Sequence, residues 1–353
     1  MCKTIEHPRP TFKRASSGVS VTGVGLGIFL LAQLAFAGQP APAEVFHLLD
    51  MSGETVNDLA QGKPVGYALD EGSADEIAVG VAHYLPMPSA KVAERLRQDD
   101  PDTMDVEVSA HGGLTVSAGV HQFGGFQLPK DEAQALLEAA PGEEFNLSAP
   151  EIERLRSLKG IPHKGVLGEV ERRYREVLYQ RFEAYHHGGA AALAGYARED
   201  ALDSSPGLEL RQAASESKLL AHYLPDLHKA WLNYPQTLPK GAEEDYLWVS
   251  KTVEGRPAVI LRHRVKTDWG GCALVLTREF YAAHSYNSSQ WLTGCLPWRD
   301  GTVVFQQVRT FTDQVAGVGS EAKHFIGREL LKDKMLKSLE RLRAVLEGKA
   351  VGG

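Results

Sequence analysis

The sequence predicts an α+β protein with a mainly antiparallel sheet gripped by a long C-terminal helix and a helical block inserted in the middle. Three observations predict this class. Residues 38–128 and the first part of 241–353 contain short runs that alternate apolar and polar side chains, as half-buried strands do. Residues 129–240 change to helical spacing. Residues 320–347 carry a single apolar stripe at that same spacing.

Residues 1–37 have the order of a secretory signal peptide. Basic residues up to Arg14 precede the short apolar run 28–32, and Ala35-Phe36-Ala37 supplies a small-x-small cleavage site. We therefore expect cleavage after Ala37, a periplasmic or secreted protein, and no stable membrane span after cleavage. An uncleaved N-terminal anchor is the alternative, although the apolar run is short for a membrane span.

Composition narrows the class of protein and its partners. The chain has 353 residues, 43% apolar and 24% charged, which suits one elaborated globular domain or two domains. Without residues 1–37, 34 basic and 44 acidic side chains remain, a net charge of −10. A surface of this sign does not attract nucleic acid by bulk electrostatics, so we expect no nucleic-acid partner.

The N-terminal β-rich segment, residues 38–128, is expected to combine strands with short helices. Pro86 and Pro88 end an alternating run, and Ser89 is placed to cap the helix that follows. The turn His111-Gly112-Gly113 is expected to join two strands in a hairpin. The expected elements are helices over 43–60 and 89–97 and strands over 64–69, 77–85, 106–108 and 114–118.

The helical block, residues 129–240, contains well-marked helix boundaries. Ser148-Ala149-Pro150-Glu151 combines a cap, an early proline and a nearby acid, and Gly188-Gly189 ends the longest helix. That helix has one apolar face, and the charges on its other face are expected to form a solvated surface with mixed ion pairs. The expected helices cover 131–141, a segment starting at 148, 166–185, 208–222 and 225–234.

The C-terminal segment, residues 241–353, is expected to be an antiparallel meander followed by one long helix. Asp300-Gly301 is a typical hairpin turn. The expected strands are 246–252, 258–265, 273–283, 288–296 and 302–312. The apolar stripe expected to lie on the sheet consists of Ile326, Leu330, Leu331, Met335, Leu339, Leu342 and Leu346.

Cys272 and Cys295 remain after signal cleavage, in a compartment that permits disulfides. A hairpin turning near Tyr286 would place Cys272 opposite residue 300, roughly 15 Å from Cys295 at the strand rise. A disulfide needs Cα atoms within about 7 Å of each other. We therefore expect two free or buried thiols, unless the connection between the strands is irregular.

The order of elements resembles the helix-grip fold of START-like lipid-transfer proteins and polyketide cyclases. The stretch Tyr84-Leu85-Pro86-Met87-Pro88-Ser89-Ala90-Lys91-Val92 looks like their first strand and the entry to their first helix. Residues 246–347 look like their later meander and gripping helix. The block 130–240 departs from that pattern and would be an insertion. The resemblance covers roughly half the chain, rests on element order, and implies that an apolar or amphipathic molecule is bound.

A second resemblance is to stretches in uncharacterised exported bacterial proteins. It is carried by Glu279-Phe280-Tyr281-Ala282-Ala283-His284-Ser285-Tyr286, by Arg309 and by Asp313-Gln314-Val315-Ala316-Gly317. That family implies no catalytic residues.

Two strands, expected to be neighbours, carry the candidate ligand-binding residues. One face of the strand 302–313 interleaves aromatic rings with an arginine and an aspartate, and such a face can line a cavity under a helix. Arg309 suits a carboxylate or phosphate headgroup, and Glu279, His284 and Asp313 suit proton transfer. Cross-strand packing with an Arg–Asp or Arg–Glu pair is the alternative. The candidate residues are Glu279, Tyr281, His284, Phe305, Arg309, Phe311 and Asp313.

Motifs for metal or cofactor binding are absent from the sequence, so neither is expected. It contains no His-Glu-x-x-His, Cys-x-x-Cys, Gly-x-Ser-x-Gly or Walker loop. His186, His187 and His263 lie near expected helix ends or turns and lack the partner spacing of a metal site. Gly317-Val318-Gly319-Ser320 opens a helix, but no second parallel strand follows, which favours Ser320 as a helix cap.

Three functions remain open from the sequence. The first is non-enzymatic binding of a lipid-like or other small apolar molecule. The second is a periplasmic enzyme using Glu279, His284, Arg309 and Asp313. The third is an envelope interaction protein acting through the helical block. Binding is favoured, because no nucleophile–base motif is present.

Overall fold

One antiparallel sheet organises the described part of the chain. The computed structural model describes residues 40–98, 105, 107–160, 165–199, 203–317 and 319–349, so the expected signal peptide lies outside the described residues. The strands lie in the order β1-β2-β8-β7-β6-β5-β4-β3. They are β1 Val65–Ala68, β2 Glu76–Leu85, β3 Val108–Gly113, β4 Glu243–Val253, β5 Arg256–Trp269, β6 Cys272–Ala282, β7 Ser288–Trp298 and β8 Gly301–Phe311.

Short turns explain most of this order. The strands β4 to β8 form a meander, because each turn returns the chain beside the strand it has just left. Between β5 and β6, Gly270 and Gly271 have φ of 56° and 78°, a backbone conformation that glycine adopts without steric cost. The strand β2 then pairs with β8 at the end of the meander.

Helices connect and cover the sheet. Two expected helices are each divided. Residues 43–60 become the helices Pro42–Leu48 and Gly53–Ala60, and residues 208–222 become Pro206–Ser215 and Lys218–Tyr223. The Ser52 hydroxyl caps the helix Gly53–Ala60 by accepting from the Thr55 amide at 3.1 Å. The helices are α1 Pro42–Leu48, α2 Gly53–Ala60, α3 Ser89–Gln98, α4 Lys130–Glu138, α5 Ala149–Arg156, α6 Val166–Gly188, α7 Pro206–Ser215, α8 Lys218–Tyr223, α9 Pro225–Leu232 and α10 Ser320–Leu346, with 3-10 turns at Val116–Phe123, Ser157–Gly160, Gly189–Ala192 and Asp313–Val315.

Both faces of the sheet are covered, since successive side chains of a strand point to opposite faces. We call the face under α3 and α10 the grip face; its apolar side chains are Ile77, Val79, Val81, Leu85, Ala273, Val275, Cys295, Val304 and Val308. The opposite face, which we call the block face, packs against α1, the helices α7–α9 and the rest of the helical block. The predicted fold class, α+β with a gripping C-terminal helix and an inserted helical block, is confirmed, and the described residues between 40 and 349 form one compact unit.

The C-terminal helix α10 is held at both edges of the sheet. It lies on β2 and β1, while Lys334 pairs at 3.2 Å with Glu107, directly before the opposite edge strand β3. The sheet therefore curves around α10, as twisted strands allow. None of the described helices is long and apolar enough to cross a membrane.

Only part of the expected apolar stripe of α10 is buried. Met335, Leu339 and Leu342 are each 1% exposed, whereas Ile326 and Leu330 are 57% and 62% exposed. The first turns of α10 instead place His324 against Glu71 and the Ala74 carbonyl. The expectation that Ile326 and Leu330 lie on the sheet is therefore wrong, because the buried residues of α10 share one side of the helix and these two residues lie on the other side.

The hairpin expected around residues 111–113 is also wrong. Gly112 and Gly113 belong to β3, which pairs with β4, and residues 116–123 are a 3-10 turn rather than a strand. Val106 lies outside the described residues. A Cβ on Gly112 would meet the Trp248 indole nitrogen at 2.6 Å, so this glycine allows close packing within the sheet instead of forming a turn.

Cys272 and Cys295 form a disulfide, with Cα atoms 5.6 Å apart. The expectation of two free thiols is wrong because the hairpin turn is centred near His284 rather than Tyr286. The resulting register pairs Leu274 with Gly294 and brings the two cysteines together on neighbouring strands.

Replacing both cysteines by alanine is expected to lower the free energy of unfolding by about 3 kcal/mol, because a closed loop restricts the unfolded chain. The sequence separation of 23 residues determines this magnitude. Urea unfolding of the oxidised protein and the double variant measures it. Reductant should shift the midpoint of the wild-type protein alone, and equal midpoints for the oxidised protein and the double variant would contradict the prediction.

Candidate functional site

The predicted site residues do not form one cluster. The expectation that their two strands are neighbours is wrong, because β7 lies between β6 and β8. Phe305, Arg309 and Phe311 belong to the block face of β8, whereas Glu279 belongs to the grip face of β6.

Arg309 is engaged in an ion pair with a buried carboxylate. Its Nη1 donates to Glu76 Oε1 at 2.6 Å and to the Asp70 carbonyl at 2.9 Å. Glu76 is 0% exposed and also accepts from the Gly72 amide at 2.6 Å and from Gln212 Nε2 at 3.2 Å. The partner of Arg309 is thus Glu76, not Asp313 or Glu279.

The predicted aromatic residues fill the core between the sheet and the helices of the block face. Phe305, Phe311 and Tyr281 are each 0% exposed. The Phe305 ring packs edge-on against Trp269. The Tyr281 hydroxyl lies 2.8 Å from the Tyr174 hydroxyl, so its polar atom is satisfied within the protein.

Glu279 and His284 have partners of their own. Glu279 pairs with Arg262 at 2.7 Å and accepts from the Tyr286 hydroxyl at 2.6 Å. The His284 ring nitrogens lie 2.8 Å from Ser285 Oγ and 2.9 Å from the Pro257 carbonyl, and burial lowers the pKa of His284. His263, expected near a helix end or turn, lies instead in the middle of β5.

Asp313 lies in a polar pocket at the end of β8. Its carboxylate accepts from Arg198 Nε at 2.7 Å, Ser204 Oγ at 2.6 Å and Asn287 Nδ2 at 3.1 Å. Burial opposes ionisation of this group, but hydrogen bonds from Ser204, Arg198 and Asn287 outweigh it and lower the pKa of Asp313.

Glu209, which sequence analysis missed, shares this pocket. It is 7% exposed and accepts from Ser288 Oγ at 2.6 Å and from Asn287 Nδ2 at 3.0 Å. Burial raises its pKa to about 7. In the sequence, Glu209 looks like any acidic residue in the first turn of a helix, so no local signal marks it as a site residue. The pocket, of about 720 Å³, is lined by Ser73, Asp75, Gly142, Glu143, Arg198, Glu199, Asp203, Ser204, Ser205, Leu208, Glu209, Gln212 and Asp313.

Glu209 is expected to make stability depend on pH. Because its folded-state pKa of about 7 exceeds the ordinary 4.5, its contribution is fully present below pH 4.5 and is lost as pH rises towards 7. The slope reaches about 1.4 kcal/mol per pH unit. Urea unfolding between pH 4.5 and 7.5 should show this loss in the wild type and not in Glu209→Gln. The exposed Glu199→Gln serves as control, and an unchanged slope in Glu209→Gln would refute the assignment.

The grip face carries three polar side chains with unsatisfied atoms. Neither ring nitrogen of His83, which is 2% exposed, has a hydrogen-bond partner. The same holds for Gln306 Oε1 and for Trp291 Nε1, both buried atoms. Burial lowers the pKa of His83 to about 4, and nearby Arg343 adds to this effect. His83 is therefore neutral near pH 7.

These three groups lie within an apolar layer under α10. The side chains between them on the sheet are Val79, Val81, Val304 and Val308. Trp291, together with Leu331 and Leu336 of α10, packs against the same apolar cluster and stays only half-buried. The layer between helix and sheet is therefore partly accessible. Sequence analysis missed this site; the single visible signal was one histidine in the apolar run 77–85.

Comparison with known proteins adds little to this geometry. No protein-family profile and no curated protein sequence matches the chain. Among solved structures, the chain is similar to the protein described as "Crystal structure of Ara h 8.0201", with 9% sequence identity and a TM-score of 0.22. The similarity covers 30% of this chain and 67% of that chain. This is a weak resemblance of fold, so the helix-grip assignment rests on the strand order and on α10.

Proposed function

We propose that this protein binds a small amphipathic molecule between the grip face and α10. The observation that carries the proposal is the set of unsatisfied polar atoms of His83, Gln306 and Trp291 on one apolar face. Buried polar groups in folded proteins are almost always hydrogen-bonded, to protein, water or ligand. A molecule with apolar and polar parts would satisfy these atoms and contact the surrounding valines, which α3 and α10 bury.

The position of α10 supports this proposal. On the side facing β2, the C-terminal half of the helix is anchored by the buried residues Met335, Leu339 and Leu342. On the side facing β3, its contact is the ion pair of Lys334 with Glu107, which lies at the protein surface. The two anchors leave the layer between them to be filled by side chains or by a ligand. The half-buried state of Trp291 supports a ligand, because a filled layer would bury the indole.

Native mass spectrometry of protein purified from its own compartment tests the proposal. We expect an additional mass that organic extraction removes. Thr293→Phe, which adds bulk beside Gln306 on the grip face, should abolish this mass, whereas Leu330→Phe on the exposed side of α10 should not. A ligand-free wild-type protein that also binds no added 1-dodecanol would overturn the proposal.

We also propose that the protein is exported and cleaved after Ala37, on the sequence features described above. The Cys272–Cys295 disulfide supports export, since cytosolic proteins of ordinary organisms rarely keep structural disulfides. N-terminal sequencing of the mature protein should begin at Gly38. A full-length product retained in the membrane would refute cleavage.

Acid–base catalysis is a second candidate, favoured by one observation in the polar pocket. Glu209 and Asp313 bond to the same Asn287 nitrogen, and their pKa values shift in opposite directions. Of the catalytic residues expected from sequence, this pocket holds Asp313. A panel of chromogenic ester, phosphoester and glycoside substrates tests it: turnover that Glu209→Gln abolishes supports catalysis, and no turnover by the wild type rejects it for these classes.

A further inference from the structure

We infer that the ligand of the grip face is an elongated, uncharged molecule that carries hydroxyl or carbonyl groups along its length. This inference rests on the proposed function and specifies the chemistry of its ligand. It is carried by three features of the grip face: the spacing of the unsatisfied groups, their donor and acceptor types, and the state of the neighbouring charges.

The unsatisfied groups form a straight diagonal across three neighbouring strands. His83 of β2 pairs with Val304 of β8, two residues before Gln306. Trp291 of β7 pairs with Val308, two residues after Gln306. Each diagonal step in an antiparallel sheet is about 7–8 Å, so His83 and Trp291 are roughly 15 Å apart with Gln306 midway. A ligand that reaches all three must therefore be elongated.

The donor and acceptor types favour hydroxyl and carbonyl groups. Neutral His83 offers one donor and one acceptor, Gln306 Oε1 is an acceptor, and Trp291 Nε1 is a donor. A hydroxyl both donates and accepts, so it can satisfy each of these groups, and a carbonyl can accept from His83 or Trp291.

The charges on the same face favour an uncharged ligand. Arg262 pairs with Glu279 at 2.7 Å, and Lys251 pairs with Asp105 at 2.5 Å. Arg264 and Lys266 both pair with Asp245, at 2.7 and 3.0 Å. Within the described residues, the cations of β4 and β5 on this face thus already hold carboxylates. Closer to the diagonal, Arg343 of α10 is the cation near His83, and it pairs with Glu347 at 2.8 Å. A ligand carboxylate or ammonium would therefore be desolvated there without a free charge of opposite sign, which is unfavourable.

A series of twelve-carbon probes tests the inference on the unmodified protein. The probes are 1,12-dodecanediol, 1-dodecanol, dodecanoate and dodecylammonium, titrated at pH 7.5 by calorimetry. The diol places hydroxyls about 15 Å apart, close to the His83–Trp291 separation. We expect the diol to bind most tightly, and both uncharged probes to bind at least tenfold more tightly than either ion.

Two matched variants locate the probe. Trp291→Phe removes the indole N–H and keeps an aromatic ring, so it should weaken diol binding about tenfold. Trp298→Phe, on the same strand but the opposite face, should leave the affinity unchanged. Three results would overturn the inference while leaving the binding function intact. They are equal binding of all four probes, tighter binding of dodecanoate than of the uncharged probes, and an unchanged diol affinity in Trp291→Phe. Binding of none of the probes would overturn the binding function itself.

Discussion

Arg309→Met is expected to lower the free energy of unfolding by about 3–5 kcal/mol. The substitution leaves Glu76, which is 0% exposed, without the cation it contacts at 2.6 Å, and an uncompensated buried charge is costly. The two strands joined by this pair, β2 and β8, connect the N-terminal segment to the meander. Chemical denaturation monitored by circular dichroism measures the loss.

Two further variants separate this effect from a general loss of charge. Arg172→Met removes a half-exposed arginine that pairs with Glu169 and Glu176 on α6, and should change stability by about 1 kcal/mol or less. Adding Glu76→Gln to Arg309→Met should restore part of the loss, because the unpaired carboxylate is removed as well. A change in Arg309→Met no larger than in Arg172→Met would show that the Glu76 pair does not stabilise the fold.

Leu339→Ala is expected to cost about 2–5 kcal/mol, the range for large-to-small substitutions in a well-packed core. Leu339 is 1% exposed and lies in the apolar cluster that joins α10 to β2, β7 and β8. Thermal unfolding of the variant should therefore show a clear fall in the transition temperature.

Leu330→Ala on the same helix is the matched control. Leu330 is 62% exposed, so its truncation should change stability by about 0.5 kcal/mol or less. The two leucines lie on the same helix and lose the same atoms on truncation, so they differ only in burial. Equal effects of the two variants would show that α10 does not sit on the sheet as the structure has it.

Most of the fold could be predicted from the sequence because its signals are local. The period of two in residues 77–85 and the helical spacing in 166–185 both describe neighbouring residues, and the structure places β2 and α6 there. The wrong elements depended on distant partners. Gly112 and Gly113 look like a turn until Trp248 packs against Gly112 and β4 pairs with their strand.

The candidate site could be predicted less well than the fold. Strand alternation correctly placed Arg309 among aromatic residues on one face, but not the identity of its partner. Glu76 is 233 residues away in the chain, and no local pattern marks it. The grip-face groups His83, Gln306 and Trp291 were missed for the same reason: each looks ordinary in its own strand, and their alignment depends on the pairing of three strands.

The sequence by itself determined most of the order of the helices and strands, the α+β class and the presence of an apolar stripe in the last helix, because these follow from side-chain periodicity within one segment. Only the tertiary structure decided which half of that stripe is buried, which strands are neighbours, that Cys272 meets Cys295, and which buried polar atoms lack a partner. Each of these depends on the register between segments far apart in the chain, and a shift of two residues in a hairpin changes it.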